Sequence, residues 1–136
     1  MKTLSRALVS LVAVTFAVVG LGFWFATQQM AQMFGIDGVS GTGLVSLRAD
    51  YGGLFLGVAV LCAGGAWAQR RAWLIAASVI LTAAVVGRLI GGIMGGVAGI
   101  GVRDLAIELI ALAMLTHYAR SLGTEGDGVP PAGPVR

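Results

Sequence analysis

Arg48-Ala49-Asp50-Tyr51-Gly52-Gly53-Leu54-Phe55-Leu56-Gly57 opens a hydrophobic run, with two opposite charges, a tyrosine and three glycines at its mouth. From Tyr51 to about Ala68 no further charge occurs, so the stretch reads as a membrane-spanning helix with its polar groups gathered at one end. The rest of the chain repeats this arrangement. Of its 136 residues, 57% are hydrophobic and only 11% charged, where a soluble domain carries about a quarter charged residues. Sparse charges between long apolar stretches predict a helix bundle in lipid rather than a water-excluded globule.

The net charge of +3 does not point to nucleic acid, because the basic residues stand at the ends of the apolar runs, where they meet anionic headgroups. The single cysteine, Cys62, lies inside an apolar run and reads as a small packing residue, with neither a disulfide framework nor a cysteine metal motif. Lys2 and Arg6 precede a run from Ala7 to Ala26. That run exceeds the ~7–15 residues of a signal-peptide core, and no small-x-small cleavage site follows it, so it reads as a retained helix.

In order, the pattern predicts an all-α, four-helix transmembrane bundle. The first span covers roughly Ala7 to Thr27, with Phe23, Trp24 and Phe25 placed for the headgroup level. Met30, Met33 and Phe34 have the three- and four-residue spacing of a short interfacial helix, and Gly35, Gly38, Gly41 and Gly43 form a flexible connector. The second span begins near Arg48. A turn at Gln69-Arg70-Arg71, flanked by Trp67 and Trp73, leads antiparallel into the third span, Ala72 to about Met94. Gly95 to Gly101 either extends that helix or breaks it, and the fourth span covers about Val102 to Leu122. Residues 1–122 are thus expected to form one domain, and 123–136 a disordered cytoplasmic tail. Lys2, Arg6, Arg70, Arg71, Arg120 and Arg136 fall on one side, Arg48 and Arg103 on the other, which predicts both termini in the cytoplasm.

Charged groups within a span are costly, and usually face the bundle interior with a partner. Counted from Trp73 at ~1.5 Å per residue, Arg88 lies ~22 Å across the membrane, in the outer leaflet. Glu108 reaches a similar depth inside Arg103, and Arg48, Asp50 and Tyr51 sit at the outer mouth of the second span. Arg48, Asp50, Arg88, Arg103, Asp104 and Glu108 are therefore expected to meet there, with Arg88 and Glu108 as the simplest pair. Asp104 and Glu108, four apart, share a helical face. Asp50 is expected on the Gly53/Gly57 side, away from Arg48. Such a cluster either fixes helix register or forms a ligand or proton site, in which Arg88 and Arg48 could hold an anionic headgroup or small carboxylate.

Arg88, Gly91, Gly92, Gly95 and Gly99 would share a face able to approach a neighbouring helix closely, and Gly53, Gly57, Gly64, Gly65 and Gly87 also fall within spans. Most should pack the four helices together. A leftover face, on Gly53/Gly57 or Gly91/Gly95, would suit a homodimer or a partner chain. His117 has no indicated second haem ligand, the methionines show no metal spacing, and Ser78 and Thr82 read as backbone-bonding hydroxyls. No catalytic triad, zinc motif or P-loop occurs, so neither enzyme chemistry, nor a cofactor, nor a metal is expected. The expectation is a non-enzymatic membrane protein acting through helix packing, as homo-oligomer or accessory subunit. The alternative is a binder or transporter of a lipid or small anionic ligand at Arg88 and Glu108.

Arg48-Ala49-x-Tyr51-Gly52-Gly53, then Gly87-Arg88 in the third span, then Glu108 in the fourth, resemble the uncharacterised membrane family called domain of unknown function 4345. The resemblance covers roughly residues 7 to 120. It implies a small four-helix protein of the bacterial cytoplasmic membrane, without an assigned activity, and singles out Arg48, Tyr51, Arg88 and Glu108. In that family an Asp-Gly often follows the Gly-Arg helix. Here Gly95-Gly96-Val97-Ala98-Gly99 stands instead, and Asp104 is the candidate substitute.

Overall fold

The computed structural model describes residues 2–95 and 101–123. Among them the chain is all-helical: α1 (Lys2–Phe25), α2 (Thr27–Met33), α3 (Thr42–Trp67), α4 (Arg71–Gly95) and α5 (Val102–Gly123). Four of these, α1, α3, α4 and α5, are long and apolar enough to cross a membrane. No proline precedes residue 130, so nothing in the spans removes a backbone donor. The stretch 96–100, on which the question of helix or loop turns, and the tail at 124–136 lie outside the described residues.

The four long helices form a ring. α1 packs against α3 and α5, and α4 packs against the same two. Alternating direction brings the start of α1 beside the end of α5, where Ser5 and Leu8 meet Met114 and His117. The core follows the helical repeat: Val9, Val12, Ala13 and Phe16 from α1 meet Val58, Ala59 and Cys62 from α3, Leu74, Ala77 and Leu81 from α4, and Leu115 and Tyr118 from α5. The opposite faces are apolar too. Val18, Val79 and Ile93 are 64%, 63% and 85% exposed, and only 17–33% of each span's apolar window is buried. Helices apolar all round, with this much outward-facing apolar surface, match a hydrocarbon surrounding.

α3 starts at Thr42, six residues before the expected Arg48, and Gly43 belongs to it rather than to the connector. A helix beginning at Arg48 would leave its first four N–H groups unbonded inside an apolar chain. Extending it over Thr42 to Leu47 supplies their acceptors, at the cost of one helical glycine, ~1 kcal/mol. The charged motif is itself unusual: Arg48–Gly52 is a π-helical turn set within α3. Such a turn carries an extra residue, so side chains before and after it do not follow a single 3.6-residue repeat. α2 ends in a Schellman motif, with Gly35 N–H on Gln32 O (3.0 Å), Ile36 N–H on Ala31 O (2.8 Å) and Gly35 at φ 71°. This returns the chain over the bundle end.

The close helix approaches fall on some of the expected glycines, Gly64 and Gly65, and on Gly20 and Gly52 besides. A Cβ at Gly20 would lie 2.9 Å from the Leu56 backbone nitrogen and 3.1 Å from Gly52 O, and one at Gly52 would strike the Trp24 ring. Gly64 and Gly65 make room for Trp73 and Leu74 across the α3–α4 turn. Gly53, Gly57, Gly87 and Gly91, by contrast, have nothing within 4 Å of an added Cβ, while Gly92 is buried and Gly95 ends α4. The first four do not pack this chain's own helices together. Phe23 likewise turns inward, fully buried, whereas Trp24 and Phe25 are exposed.

Candidate functional site

Arg88 of α4 and Glu108 of α5 meet between antiparallel helices. Arg88 Nε donates to both Glu108 carboxylate oxygens at 3.0 Å. One turn nearer the start of α5, Asp104 Oδ2 lies 3.8 Å from Arg88 Nη1, beyond hydrogen-bond length but within ion-pair range. Arg103 Nε in turn donates to Asp104 Oδ1 at 3.0 Å, and its Nη2 reaches Met33 O at 3.5 Å. The result is a chain of alternating charge, Arg103–Asp104–Arg88–Glu108. Its outer end, the Arg103 side chain, is 69% exposed, whereas that of Glu108 at the other end is 11% exposed.

The expected six-membered cluster is therefore four-membered. Arg48 and Asp50 are both exposed and make no ion pair among the described residues. Arg48 instead donates from Nε to Thr27 Oγ1 at 3.2 Å, and Thr27 donates to Phe23 O at 2.6 Å. Both residues belong to the π turn, where side chains do not follow the regular 3.6-residue repeat of the helix that begins at Gly53. Tyr51 joins a group of rings rather than the charges. Its ring centroid lies 5.2 Å from that of Phe23 and 6.4 Å from that of Phe55. Phe55 also meets Phe16 at 5.6 Å, Phe34 at 5.9 Å and Phe23, stacked, at 6.0 Å.

These rings and the ion pair wall one cavity of about 390 Å³. Phe16, Tyr51 and Phe55 form one side, and Ala84, Gly87, Arg88 and Gly91 the other, with Glu108 behind and Phe34 and Ile36 over the end. α3 and α4 are tightly joined where Gly64 and Gly65 take Trp73 and Leu74, while farther along α4 the cavity-lining Gly87 and Gly91 have nothing within 4 Å of an added Cβ. A smaller cavity of about 100 Å³ touches the ion pair from the α1 side, sharing Phe16, Phe34 and Phe55. Pockets of a few hundred Å³ with apolar walls and one convergent polar group are the usual form of a small-molecule site. The polar group here is unspent. Arg88 uses Nε for Glu108, its Nη1 lies in ion-pair range of Asp104, neither Nη makes a hydrogen bond among the described residues, and the side chain is 26% exposed. Both Nη atoms can donate to an incoming oxygen.

Phe16 and Phe55 were not singled out from the sequence, and Phe34 only with the expected interfacial helix. The available signal was spacing: Phe16 and Phe23 are seven apart, Tyr51 and Phe55 four apart, so each pair shares a face. Cys62 is a buried core residue, and the Ser78 and Thr82 hydroxyls donate to Leu74 O and Ser78 O, as their spacing suggests. His117 is exposed at the opposite end, far from the charges. No protein-family model, curated protein or solved structure matches this chain.

Proposed function

We propose that this chain is an integral membrane protein, both termini cytoplasmic, that binds a small amphiphile or lipid in the cavity between α3 and α4. The observation that carries this reading is an aromatic-walled space of about 390 Å³ lined by both Arg88 and Glu108, with neither Arg88 Nη in a hydrogen bond among the described residues. Glu108 already balances the Arg88 charge, so the site suits a head with oxygen acceptors more than a full anion, with the apolar body on Phe16, Phe55 and Tyr51. No catalytic step is assigned. The Lys/Arg asymmetry supports the orientation, and the family resemblance a bacterial cytoplasmic membrane.

Ala84→Phe tests this, because it fills the cavity without touching the ion pair. Protein purified gently from its native membrane should carry about one non-peptide molecule per chain by mass spectrometry. The variant should retain at least ~10-fold less, with an unchanged melting temperature. A wild-type protein carrying nothing, or a variant carrying as much, would sink the proposal.

A second reading, a homo-oligomer or accessory subunit, is favoured by the bare outward faces of Gly53 and Gly57. At Gly57 an added Cβ has nothing within 4 Å, and the position is exposed. Gly57→Leu should therefore leave the melting temperature within ~1 °C while dispersing any oligomer or co-purifying partner. A strictly monomeric, partner-free wild type in mild detergent rules this reading out.

A further inference from the structure

The end of the bundle that carries the termini holds a different polar arrangement, and nothing derived above uses it. Arg71 is the first residue of α4 and Arg120 lies in the last turn of α5, so the antiparallel packing brings both to one level. They head a groove of about 570 Å³ between the two helices, which continues past Ile75, Val79 and Leu112 as far as Ala83. The Arg71 guanidinium crosses from α4 to α5: its Nη1 lies 2.8 Å from where a Cβ of Gly123 would stand. All the carboxylates among the described residues, Asp37, Asp50, Asp104 and Glu108, belong to the other end, and neither arginine makes an ion pair among those residues. The groove hydroxyls have donated to their own helices, Ser78 to Leu74 O, Thr82 to Ser78 O and Thr116 to Leu112 O. Among the described side chains that line it, the donors not bonded to their own helix are the two guanidiniums.

We propose that this groove binds an anionic phospholipid, with its phosphate between Arg71 and Arg120 and an acyl chain along Ile75, Val79 and Leu112. Charge and length both select this occupant. Two cations with no carboxylate beside them among the described residues, at the end of a span, sit where headgroup phosphates lie, and Arg is the side chain best shaped to grip them. From Arg71 to Ala83 the groove runs ~18 Å at ~1.5 Å per residue, about half of the ~30 Å hydrocarbon, which is the reach of one leaflet's chain. A second copy in the same orientation would bring its own two arginines to the same level, against these. Free phosphate would leave the apolar wall unused. The inference rests on the membrane reading, but not on the cavity beside Arg88.

The test is native mass spectrometry of the full chain in mild detergent, titrated with phosphatidylglycerol and with phosphatidylcholine of the same acyl chains. Wild type should take one phosphatidylglycerol in preference to phosphatidylcholine by ~10-fold, and Arg71→Ala/Arg120→Ala should lose that preference. Arg70→Ala, a neighbouring cation that does not line the groove, should keep it. Ala83→Phe, which fills the far end with every charge in place, should weaken it several-fold. The proposal is overturned by equal uptake of the two lipids. It is equally overturned if Arg70→Ala does as much damage as the double variant, or if Ala83→Phe has no effect, since either marks adsorption by charge alone. If the double variant does not fold, Arg71→Lys/Arg120→Lys with Ala83→Phe decides: a lipid preference surviving the groove filling refutes the site. Ala84→Phe lines the other cavity, so failure there and failure here are separate results.

Discussion

Glu108→Ala is expected to cost ~3–5 kcal/mol of stability, the range seen when one partner of a buried ion pair is removed. Glu108 is buried and takes both bonds from Arg88 Nε at 3.0 Å, while Asp104, at 3.8 Å, is too distant to replace it. The guanidinium cannot shed its charge, so without Glu108 it stands poorly paired against an apolar wall. Arg88→Met should cost less, because a lone carboxyl can be neutralised by one proton. The double variant Arg88→Met/Glu108→Leu should recover most of the Glu108→Ala loss, because apolar side chains of similar volume need no partner. Thermal unfolding in detergent reads all three. A Glu108→Ala protein that melts with wild type would show the pair to be unimportant for folding. A double variant that folds well but retains no ligand would assign the pair to binding.

Gly20→Leu is expected to be comparably severe, ~3 kcal/mol or failure to accumulate, because the conflict is with backbone rather than a movable side chain. A Cβ alone would stand 2.9 Å from the Leu56 nitrogen, and the larger side chain would force α1 from α3. The aromatic group built on those two helices, Phe16, Phe23, Tyr51 and Phe55, would be disturbed with it. Membrane accumulation and melting temperature are the measurements, with Gly57→Leu as the paired control on open space. If both variants behave alike, the α1–α3 approach is not the tight one described.

The contrast between Gly20 and Gly57 also shows where sequence reasoning stops. Both are glycines in apolar runs, and nothing local separates them. Spacing does place Asp104 with Glu108 and does set Arg88 at the depth of Glu108, because depth along a straight helix is a count of residues. Counting does not give the side-chain partners of Arg48 and Asp50, where a π turn interrupts the regular repeat without a proline or other breaker to announce it. Nor does it place Phe23. Headgroup-level aromatics and buried ones have the same composition, and only the tertiary fold brings Tyr51, Phe34 and Phe55 around Phe23, at 5.2, 5.3 and 6.0 Å.

By itself, then, the sequence determined that there are four long apolar helices, roughly where they begin and end, and which charges lie at which level. Those properties depend on hydropathy and rise per residue, which act locally. Only the tertiary structure decided which faces meet. The crossing of α1 with α3, the separation of α3 from α4 above Gly64, and the cavity left between them depend on side chains distant in the chain. Helices that are apolar on every side do not reveal from their own pattern which side is the inside.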